Sequence, residues 1–249
     1  METGSTGLSR RKHTLQFSPD LTDDRPFDSV PVPPDLQSGW TVKQAEGAEV
    51  AAAEELEYRV FTDAGFCERS PKRRVPDFEK WRDYSSFQVA VDPNGEVCGT
   101  VRTMIGDYEH LPVGSFEREL EYPADPVLEY ASLALDPDHR GTGVSEALYR
   151  AVWSQAVRHN AGGLVAIAET WLLDLLNDVY NFGFVQLGPS RWYMGGECLP
   201  IGTALAPLLE RFKRQPTFFA WFSSELDLRD LTESDLRRTV TDARVTSED

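Results

Sequence analysis

An arginine and two glycines stand where an apolar segment gives way to a helical pattern, and this arrangement suits anion binding. Arg140, Gly141 and Gly143 follow Asp136-Pro137, and from Val144 onward apolar residues recur at helical spacing. Glycines at a helix start let the backbone curl so that N–H groups point outward, with the positive end of the helix dipole behind them. The turn predicts a phosphate or pyrophosphate site, although glycine pairs also occur in ordinary strand-to-helix turns.

Two better-known phosphate motifs do not fit this turn. A P-loop needs a lysine and a hydroxyl residue after its last glycine, and the dinucleotide-binding fingerprint needs three glycines at fixed spacing. Neither pattern is present around Gly143.

The composition restricts the function classes. The chain has 249 residues and a formal net charge of −16, so general binding to nucleic acid or to an anionic membrane is not expected. Its three cysteines and four histidines are scattered, which predicts neither a disulfide framework nor a metal site. The first residues lack the apolar region of a secretory signal, and no apolar run is long enough to span a bilayer. We therefore expect a soluble, cytoplasmic protein.

The order of elements predicts an α/β fold with a mixed central sheet and helices on both faces. Residues 1–38 are rich in Ser, Thr, Asp and Pro and are expected to be a flexible tail. Residues 39–222 form the predicted domain, and 223–249 an acidic tail or helix. Leu199 to Phe212 has a helical pattern, and Phe218 to Phe222 is interpreted as a last buried strand.

The longer pattern around the glycine turn resembles the coenzyme A loop of the GNAT acyltransferase superfamily. Leu-Ala-Leu-Asp-Pro precedes Arg-x-x-Gly-x-Ser, where the superfamily has Arg/Gln-x-x-Gly-x-Gly/Ala, so Ser145 is a mild departure. The resemblance implies a sheet whose central strands splay to admit the pantetheine arm of the donor, here Val127 to Leu135 and Leu164 to Glu169. The donor-binding residues that it implies are Leu133, Leu135, Arg140, Gly141, Thr142, Gly143, Val144 and Ser145.

A narrower resemblance points to the acyl-homoserine-lactone synthases and the long-chain N-acyl amino acid synthases. Arg59-Val60-Phe61 within Glu57 to Phe61 is similar to their Arg-x-x-Val-Phe signature, and Gly99 to Arg102 to their Gly-x-x-Arg strand. Those enzymes pass a fatty acyl group from acyl-carrier protein or acyl-coenzyme A to an amine. They have Glu-x-Ser-Arg before the phosphate turn, whereas this chain has Glu129-Tyr130-Ala131-Ser132, so a homoserine-lactone product is not expected.

The resemblance also implies the chemistry of amide formation from a thioester. That reaction needs an uncharged amine, an acceptor for its proton, stabilisation of the oxyanion and a proton for the leaving thiolate. Glu129 is the candidate base, with a salt-bridged strand glutamate as the alternative. Tyr180 is the candidate acid, but two residues separate it from Gly183 where many GNAT enzymes have three, so it is equally an aromatic residue at the edge of the core.

Three further residues are candidates for contact with the substrates. Arg102 has the planar fork that binds a carboxylate at two points, or it pairs with an acidic neighbour in the protein. Glu169, at the end of the second central strand, and Ser132 are fallbacks for the acid role of Tyr180 and candidates for contact with substrate. The aromatic residues of the second half belong to the core or line an acyl tunnel: Trp153, Trp171, Phe182, Phe184, Phe218, Phe219, Trp221 and Phe222.

Six basic residues fall within a short stretch of this acidic chain. They are Arg69, Lys72, Arg73, Arg74, Lys80 and Arg82. A solvated loop is one interpretation. The other is an electropositive landing site for phosphates or for acyl-carrier protein, with Arg69, Lys72, Arg73 and Arg74 as the contacts.

Three functional hypotheses follow. The first is an N-acyltransferase that moves an acyl group, expected to be fatty, from acyl-CoA or acyl-carrier protein to the amine of an amino acid or other small molecule, without a metal. The second is a short-chain acetyltransferase, and the third a catalytically silent domain that senses acyl-CoA.

Overall fold

One eight-stranded sheet forms the centre of the protein. The computed structural model describes residues 28–36 and 38–224. The strands are β1 (Thr41–Gln44), β2 (Ser86–Val91), β3 (Val97–Gly106), β4 (Val127–Leu135), β5 (Gly163–Glu169), β6 (Val185–Gln186), β7 (Arg191–Tyr193) and β8 (Gly196–Ala204). Their order is β1-β2-β3-β4-β5-β8-β6, with β7 also paired to β8. The β4–β5 pair is parallel and the other pairs are antiparallel, so the predicted mixed sheet is confirmed.

Helices cover both faces of this sheet. The α-helices are α1 (Ala48–Asp63), α2 (Val144–Arg158), α3 (Thr170–Asp178), α4 (Leu205–Lys213) and α5 (Pro216–Ser223), and short 3₁₀ helices occupy Pro76–Tyr84, Tyr108–His110, Pro112–Ser115 and Pro137–His139. Residues of α2, α4 and α5 pack with Leu128 and Tyr130 of β4 in one apolar cluster. Residues of α1 and of the 3₁₀ segments pack with Val127 and Val165 in a second cluster on the opposite face. We call these the α2 face and the α1 face.

The central strands separate after a short contact. β4 and β5 pair only from Val127 to Glu129, and Glu129 opposite Val165 is the last pair. Beyond it, β4 stays paired with β3 and β5 with β8, while the two facing edges diverge. The pairing register between β3 and β4 shifts at Ala131, which has no opposite residue on β3. Such a bulge bends the strand that carries it, here β4. The predicted splayed strands are confirmed.

Two sequence-based element assignments were wrong. Leu199 to Ala204, expected to be helical, is the end of β8, and only Leu205–Lys213 forms a helix. Phe218 to Phe222, expected to be a strand, lies in α5, which begins at Pro216. Both segments are nearly continuous apolar runs, and such runs lack the period that separates a buried strand from a buried helix.

The N-terminal boundary of the domain also needs correction. Val30 is buried in the α2-face cluster, its N–H donates to Gln215 Oε1 (3.2 Å), and Asp28 Oδ1 accepts the N–H of Thr217 (2.8 Å). Residues 28–36 are therefore packed against the domain instead of belonging to a tail. The rest of the predicted tails, residues 1–27 and 225–249, lies outside the described residues.

Candidate active site

The glycine turn exposes unused backbone donors at the start of α2. Gly141 and Gly143 have φ values of +73° and +85°, a conformation that favours glycine. Thr142 Oγ1 donates to the His139 carbonyl (2.6 Å), which fixes the turn. Within the described residues, the N–H groups of residues 141–146 donate to no acceptor. These free donors and the helix dipole form a site suited to a diphosphate.

The neighbours of the turn leave part of it open. Gly141 and the Arg140 side chain are exposed, and Arg140 makes no ion pair with a described residue. Gly143 is buried because the carbonyl oxygen of Pro34 lies against it, only 2.5 Å from where a Cβ would stand. Val144 is buried below the turn. The N-terminal segment 28–36 therefore forms one wall of the candidate donor site, a feature that the sequence analysis missed.

The other predicted donor residues support the turn from nearby. Leu133 and Leu135 of β4 pack, partly buried, against the α2-face cluster. The Ser145 hydroxyl donates to Glu146 Oε2 (2.8 Å) in the first turn of α2. The structure thus brings all of the predicted donor residues to one end of β4.

Glu129 lies at the point where β4 and β5 separate, and one of its oxygens is unused. Its side chain is fully buried, and Oε2 accepts the N–H of Val113 (3.0 Å). The other oxygen, Oε1, has no hydrogen-bond partner among the described residues. Burial raises the pKa of this carboxyl from 4.5 to about 8. A carboxyl with such a pKa exchanges protons near neutral pH, as a general base must.

Two tyrosines lie around Glu129 on the α1 face. The Tyr108 hydroxyl is buried without a partner in the described residues, and its pKa is raised to about 12 by burial, with a contribution from the charge of Glu129. Burial also raises the pKa of Tyr193, and the carboxylates of Asp77 and Glu129 add to the shift. The Tyr193 ring meets Phe116 edge to face at 5.6 Å. The base candidate therefore lies buried among aromatic side chains of the α1 face.

Arg102 is already paired, which corrects its predicted role as a ligand for an acceptor carboxylate. Its Nε donates to Glu57 Oε1 (2.9 Å) and its NH2 to Glu57 Oε2 (2.6 Å), and both residues are buried. The Phe78 and Phe87 rings cover the guanidinium at 5.1 and 4.4 Å. The Nε–NH2 edge of the guanidinium is thus bonded to Glu57 inside the protein and two aromatic rings lie against it, as in the alternative interpretation of this arginine.

Ser132 completes the same buried network. Its hydroxyl donates to Glu57 Oε1. Ser132 occupies the place where the acyl-homoserine-lactone synthases carry an arginine, and here it supplies a hydrogen bond to α1 instead of a positive charge. It is a structural contact of the Glu57–Arg102 pair and not a free ligand for substrate.

The Tyr180 hydroxyl contacts the first turn of α2. It donates to Glu146 Oε1 (2.9 Å), and burial together with this hydrogen bond raises its pKa above the ordinary value. Tyr180 follows α3 by two residues and packs on Phe182 at 5.6 Å. Its assignment as general acid stays a prediction, since the described contacts place its proton beside Glu146. Sequence reasoning missed Glu146, although an acidic residue in a first helical turn is a recognisable signal.

Glu169 ends β5 on the same face as Glu129. It is two residues after Ile167 and four after Val165, both on the α1 face, so strand alternation places its side chain there too. Its Oε2 accepts the Nε1–H of Trp171 (2.7 Å). Its Oε1 points toward Gly196, where a Cβ would approach it to 2.8 Å.

The basic stretch is largely neutralised within the protein. Arg73 pairs with Glu55, and Arg74 and Arg82 both pair with Glu54 (3.1 and 2.7 Å). Lys72 lies 3.7 Å from Glu79, whereas Arg69 makes no ion pair with the described residues. The contact with acyl-carrier protein remains a prediction. Most of the positive charge on which it depended is already paired with glutamates of the protein, mainly Glu54 and Glu55 of α1.

The aromatic residues of the second half form a filled core. The rings of Trp153, Phe212 and Phe222 meet at centroid distances of 4.6 to 6.0 Å. The cavity between these rings and β4 is only about 10 Å³, room for about one water molecule. Side chains would have to move before an acyl tail entered this region.

Comparisons with known proteins identify the family. Solved structures with the same fold include BjaI, a CoA-dependent acyl-homoserine lactone synthase with SAM and isopentyl-CoA bound, at 17% identity and TM-score 0.58 over 74% of this chain and 90% of that one. FeeM, an N-acyl amino acid synthase from uncultured soil microbes, aligns at 12% identity and TM-score 0.51 over 69% and 94%. No curated protein matches the sequence. Residues 51–184, more than half of the chain, match the acetyltransferase (GNAT) family, and the chain belongs to that family.

Proposed function

We propose that the protein transfers an acyl group from an acyl-CoA to the amine of a small molecule. The observation that supports this most directly is the position of Glu129, buried with one free oxygen where the central strands separate. The diverging edges run from Glu129 to Leu135, roughly 20 Å of strand, and end beside the glycine turn. A pantetheine arm along this opening would hydrogen-bond to the free strand edges, with its diphosphate on the turn.

Glu129 would act as the general base. Its Oε1 accepts a proton from the acceptor ammonium, and the resulting amine attacks the thioester carbonyl carbon. The C–N bond forms and gives a tetrahedral intermediate with a protonated nitrogen; the C–S bond then breaks, and the proton that the nitrogen loses is taken up by the leaving thiolate, which departs as the free thiol. Backbone N–H groups on the separated edges of β4 and β5 are the candidate donors to the oxyanion.

Coenzyme A is the proposed donor in preference to acyl-carrier protein. The exposed Arg140 and the free N–H groups of the turn suit a diphosphate, whereas three of the four predicted carrier-protein contacts are used in ion pairs. The similarity in fold to a CoA-dependent synthase is consistent with this choice.

The length of the acyl group separates two candidate activities. The resemblance to N-acyl amino acid synthases favours a fatty acyl donor. The filled aromatic core favours a short acyl group such as acetyl, because the α2 face has little free volume beside the opening. We adopt the short-chain donor as the working proposal.

The test is a thiol-release assay with product masses. Acetyl-CoA, isovaleryl-CoA, palmitoyl-CoA and palmitoyl-acyl-carrier protein are each offered with pools of amino acids and polyamines. Amide product from the two short CoA donors supports the proposal, and product from the palmitoyl donors alone would refute the short-chain assignment. Donor binding without turnover for any donor would favour the acyl-CoA sensor instead.

A further inference from the structure

We propose that Tyr108 acts together with Glu129: the Tyr108 hydroxyl and the unused Oε1 of Glu129 bind one small polar group between them. In the free protein this group is a water molecule, and during acyl transfer it is the nitrogen of the incoming amine. Only the second of these two statements rests on the proposed function, because the paired site is a property of the free protein.

The backbone around Tyr108 covers the point where β4 and β5 separate. Residues 108–115 contain two consecutive 3₁₀ helices, and the second of them contacts both strands. The Val113 N–H in that second helix donates to Glu129 Oε2 (3.0 Å). The two helices pack closely on each other, since a Cβ on Gly114 would lie 2.6 Å from the Tyr108 carbonyl oxygen. The segment that holds Glu129 therefore also fixes the backbone of Tyr108.

The backbone and the ring of Tyr108 are anchored, whereas its hydroxyl is not. Its N–H donates to Asp125 Oδ1 (2.8 Å), and the Arg118 guanidinium lies over its ring at 4.3 Å. Arg118 is held in turn, because its NH2 donates to the Pro123 carbonyl (2.8 Å). Tyr108 is only 1% exposed, yet its hydroxyl has no hydrogen-bond partner among the described residues. A ring fixed in this way presents its hydroxyl at one constant place.

Glu129 carries the matching unpartnered oxygen on the same face of the sheet. Met104 lies directly opposite Glu129 on β3, and Met104 and Tyr108 belong to the same α1-face cluster. Burial raises the pKa of Tyr108, and the charge of Glu129 adds to this effect, so the two groups interact. Proteins leave few buried polar atoms unsatisfied, and those without a protein partner bind ordered water or a ligand. One group bonded to both atoms satisfies both.

This pair suits the nitrogen of an amine acceptor. An ammonium group donates one proton to Glu129 Oε1, and the Tyr108 oxygen accepts a hydrogen bond from a second N–H. Tyr108 keeps its own proton, since its pKa is about 12, and no covalent bond changes there. Holding the nitrogen at two points fixes the direction of its lone pair, which attack on the thioester carbonyl requires.

Other charged groups on this face stay in place when the hydroxyl is removed. Arg118 remains over the ring at position 108. Burial raises the pKa of Tyr193, the charges of Asp77 and Glu129 add to this effect, and Arg191 opposes it. None of these groups is altered by a Tyr108→Phe substitution, so a resulting change in the pKa of Glu129 is assigned to the hydroxyl.

Two tyrosine-to-phenylalanine variants of the full chain test the pairing without any substrate. Tyr108→Phe removes the hydroxyl and keeps the ring. Tyr130→Phe is the matched control, because the Tyr130 hydroxyl is also buried without a partner in the described residues but belongs to the α2-face cluster. The pKa of Glu129 is measured by ¹³C NMR of labelled glutamate, and its signal is identified by its absence in Glu129→Gln.

We expect Tyr108→Phe to raise the pKa of Glu129 by roughly 0.5 to 1, which corresponds to one ordinary hydrogen bond lost by the carboxylate. Tyr130→Phe should leave this pKa unchanged. Equal unfolding free energies of the two variants in urea would exclude a general loss of structure as the cause.

The role at the acceptor nitrogen is tested with the acyl-CoA and amine that give product in the thiol-release assay. Tyr108→Phe should lower kcat/KM by about tenfold and move its pH dependence upward by the same amount as the NMR titration. In a Glu129→Gln background it should cost little more, because both groups act on one nitrogen. Tyr130→Phe should have the kinetics of the parent protein.

The outcomes separate this inference from the proposed function. An equal pKa of Glu129 in the parent and in Tyr108→Phe would overturn the paired site, whether or not the protein turns over. A raised pKa with unchanged kcat/KM would overturn the role of Tyr108 at the acceptor nitrogen. A raised pKa in a protein that forms no amide with any donor would retain the paired site and reject the acyl transfer.

Discussion

The two halves of the candidate site are built in different ways. The donor half is mainly one local segment, in which β4 ends, two left-handed glycines turn the chain and α2 begins with free N–H groups; only the wall formed by segment 28–36 comes from elsewhere in the chain. The acceptor half is assembled from side chains far apart in sequence, since Glu57 and Arg102 are 45 residues apart and Glu57 and Ser132 are 75 apart. The proposed donor site is thus formed largely by backbone, whereas the surroundings of Glu129 depend on side-chain contacts between distant parts of the chain.

The largest effect is expected from Glu129→Gln, which removes the base but keeps an oxygen for the Val113 N–H. We expect kcat to fall by about 10²–10⁴-fold, the usual contribution of general base catalysis. Donor affinity should be unchanged, because the glycine turn is untouched. Single-turnover amide formation and calorimetric CoA binding measure the two quantities. A variant with normal turnover would remove Glu129 from the mechanism.

Breaking the buried Glu57–Arg102 ion pair should cause a large loss of unfolding free energy. Glu57→Ala leaves the Arg102 guanidinium buried and uncompensated, which costs about 3–5 kcal/mol of unfolding free energy. Glu55→Ala is the matched control on the same helix: it breaks the exposed pair with Arg73 and should cost about 0–1 kcal/mol. Urea unfolding compares the two variants. Equal costs would mean that the Glu57–Arg102 network does not hold α1 to the sheet.

The pH dependence of activity should report the same carboxyl. As a base Glu129 must be ionised, so kcat/KM should rise about tenfold per pH unit below its pKa of about 8 and level off above it. In the Glu129→Gln variant, this rise of kcat/KM with pH should be absent. A profile that is flat between pH 6 and 8 in the parent protein would contradict the assignment.

The free energy of unfolding, in contrast to the activity, should fall as the pH rises from about 4.5 to about 8. Between the ordinary pKa of 4.5 and the raised value of about 8, the folded protein keeps a proton that the unfolded chain has released. Raising the pH therefore favours unfolding, so the contribution of Glu129 is fully present below pH 4.5 and is lost as the pH rises through about 8. The difference in unfolding free energy between the parent and Glu129→Gln should follow this curve.

The same contrast explains what the sequence could predict. The bounds of β4 and the donor turn follow from local patterns of apolar residues and glycines, whereas the splayed strands were expected only from the resemblance to the GNAT superfamily. The pairing of Arg102 with Glu57 could not be predicted in this way. The local sequence around Arg102 is the same whether the arginine binds a substrate carboxylate or an internal partner. Segment 28–36 has the composition of a flexible tail, yet Val30 is buried in the core and two hydrogen bonds, to Gln215 and from Thr217, hold the segment in place.

The smallest expected effect tests the donor half by comparing two glycines of one turn. Both have positive φ, so alanine at either position carries a backbone strain of about 1 kcal/mol. Gly141→Ala meets nothing within 4 Å, whereas the Cβ of Gly143→Ala would lie 2.5 Å from the Pro34 carbonyl oxygen. Gly141→Ala should therefore weaken CoA binding less than tenfold, and Gly143→Ala should also displace segment 28–36, which limited proteolysis would detect. If the two variants bind CoA equally and resist protease equally, segment 28–36 is not a wall of the donor site; if only Gly143→Ala changes both, the N-terminal segment and the phosphate turn act as one unit.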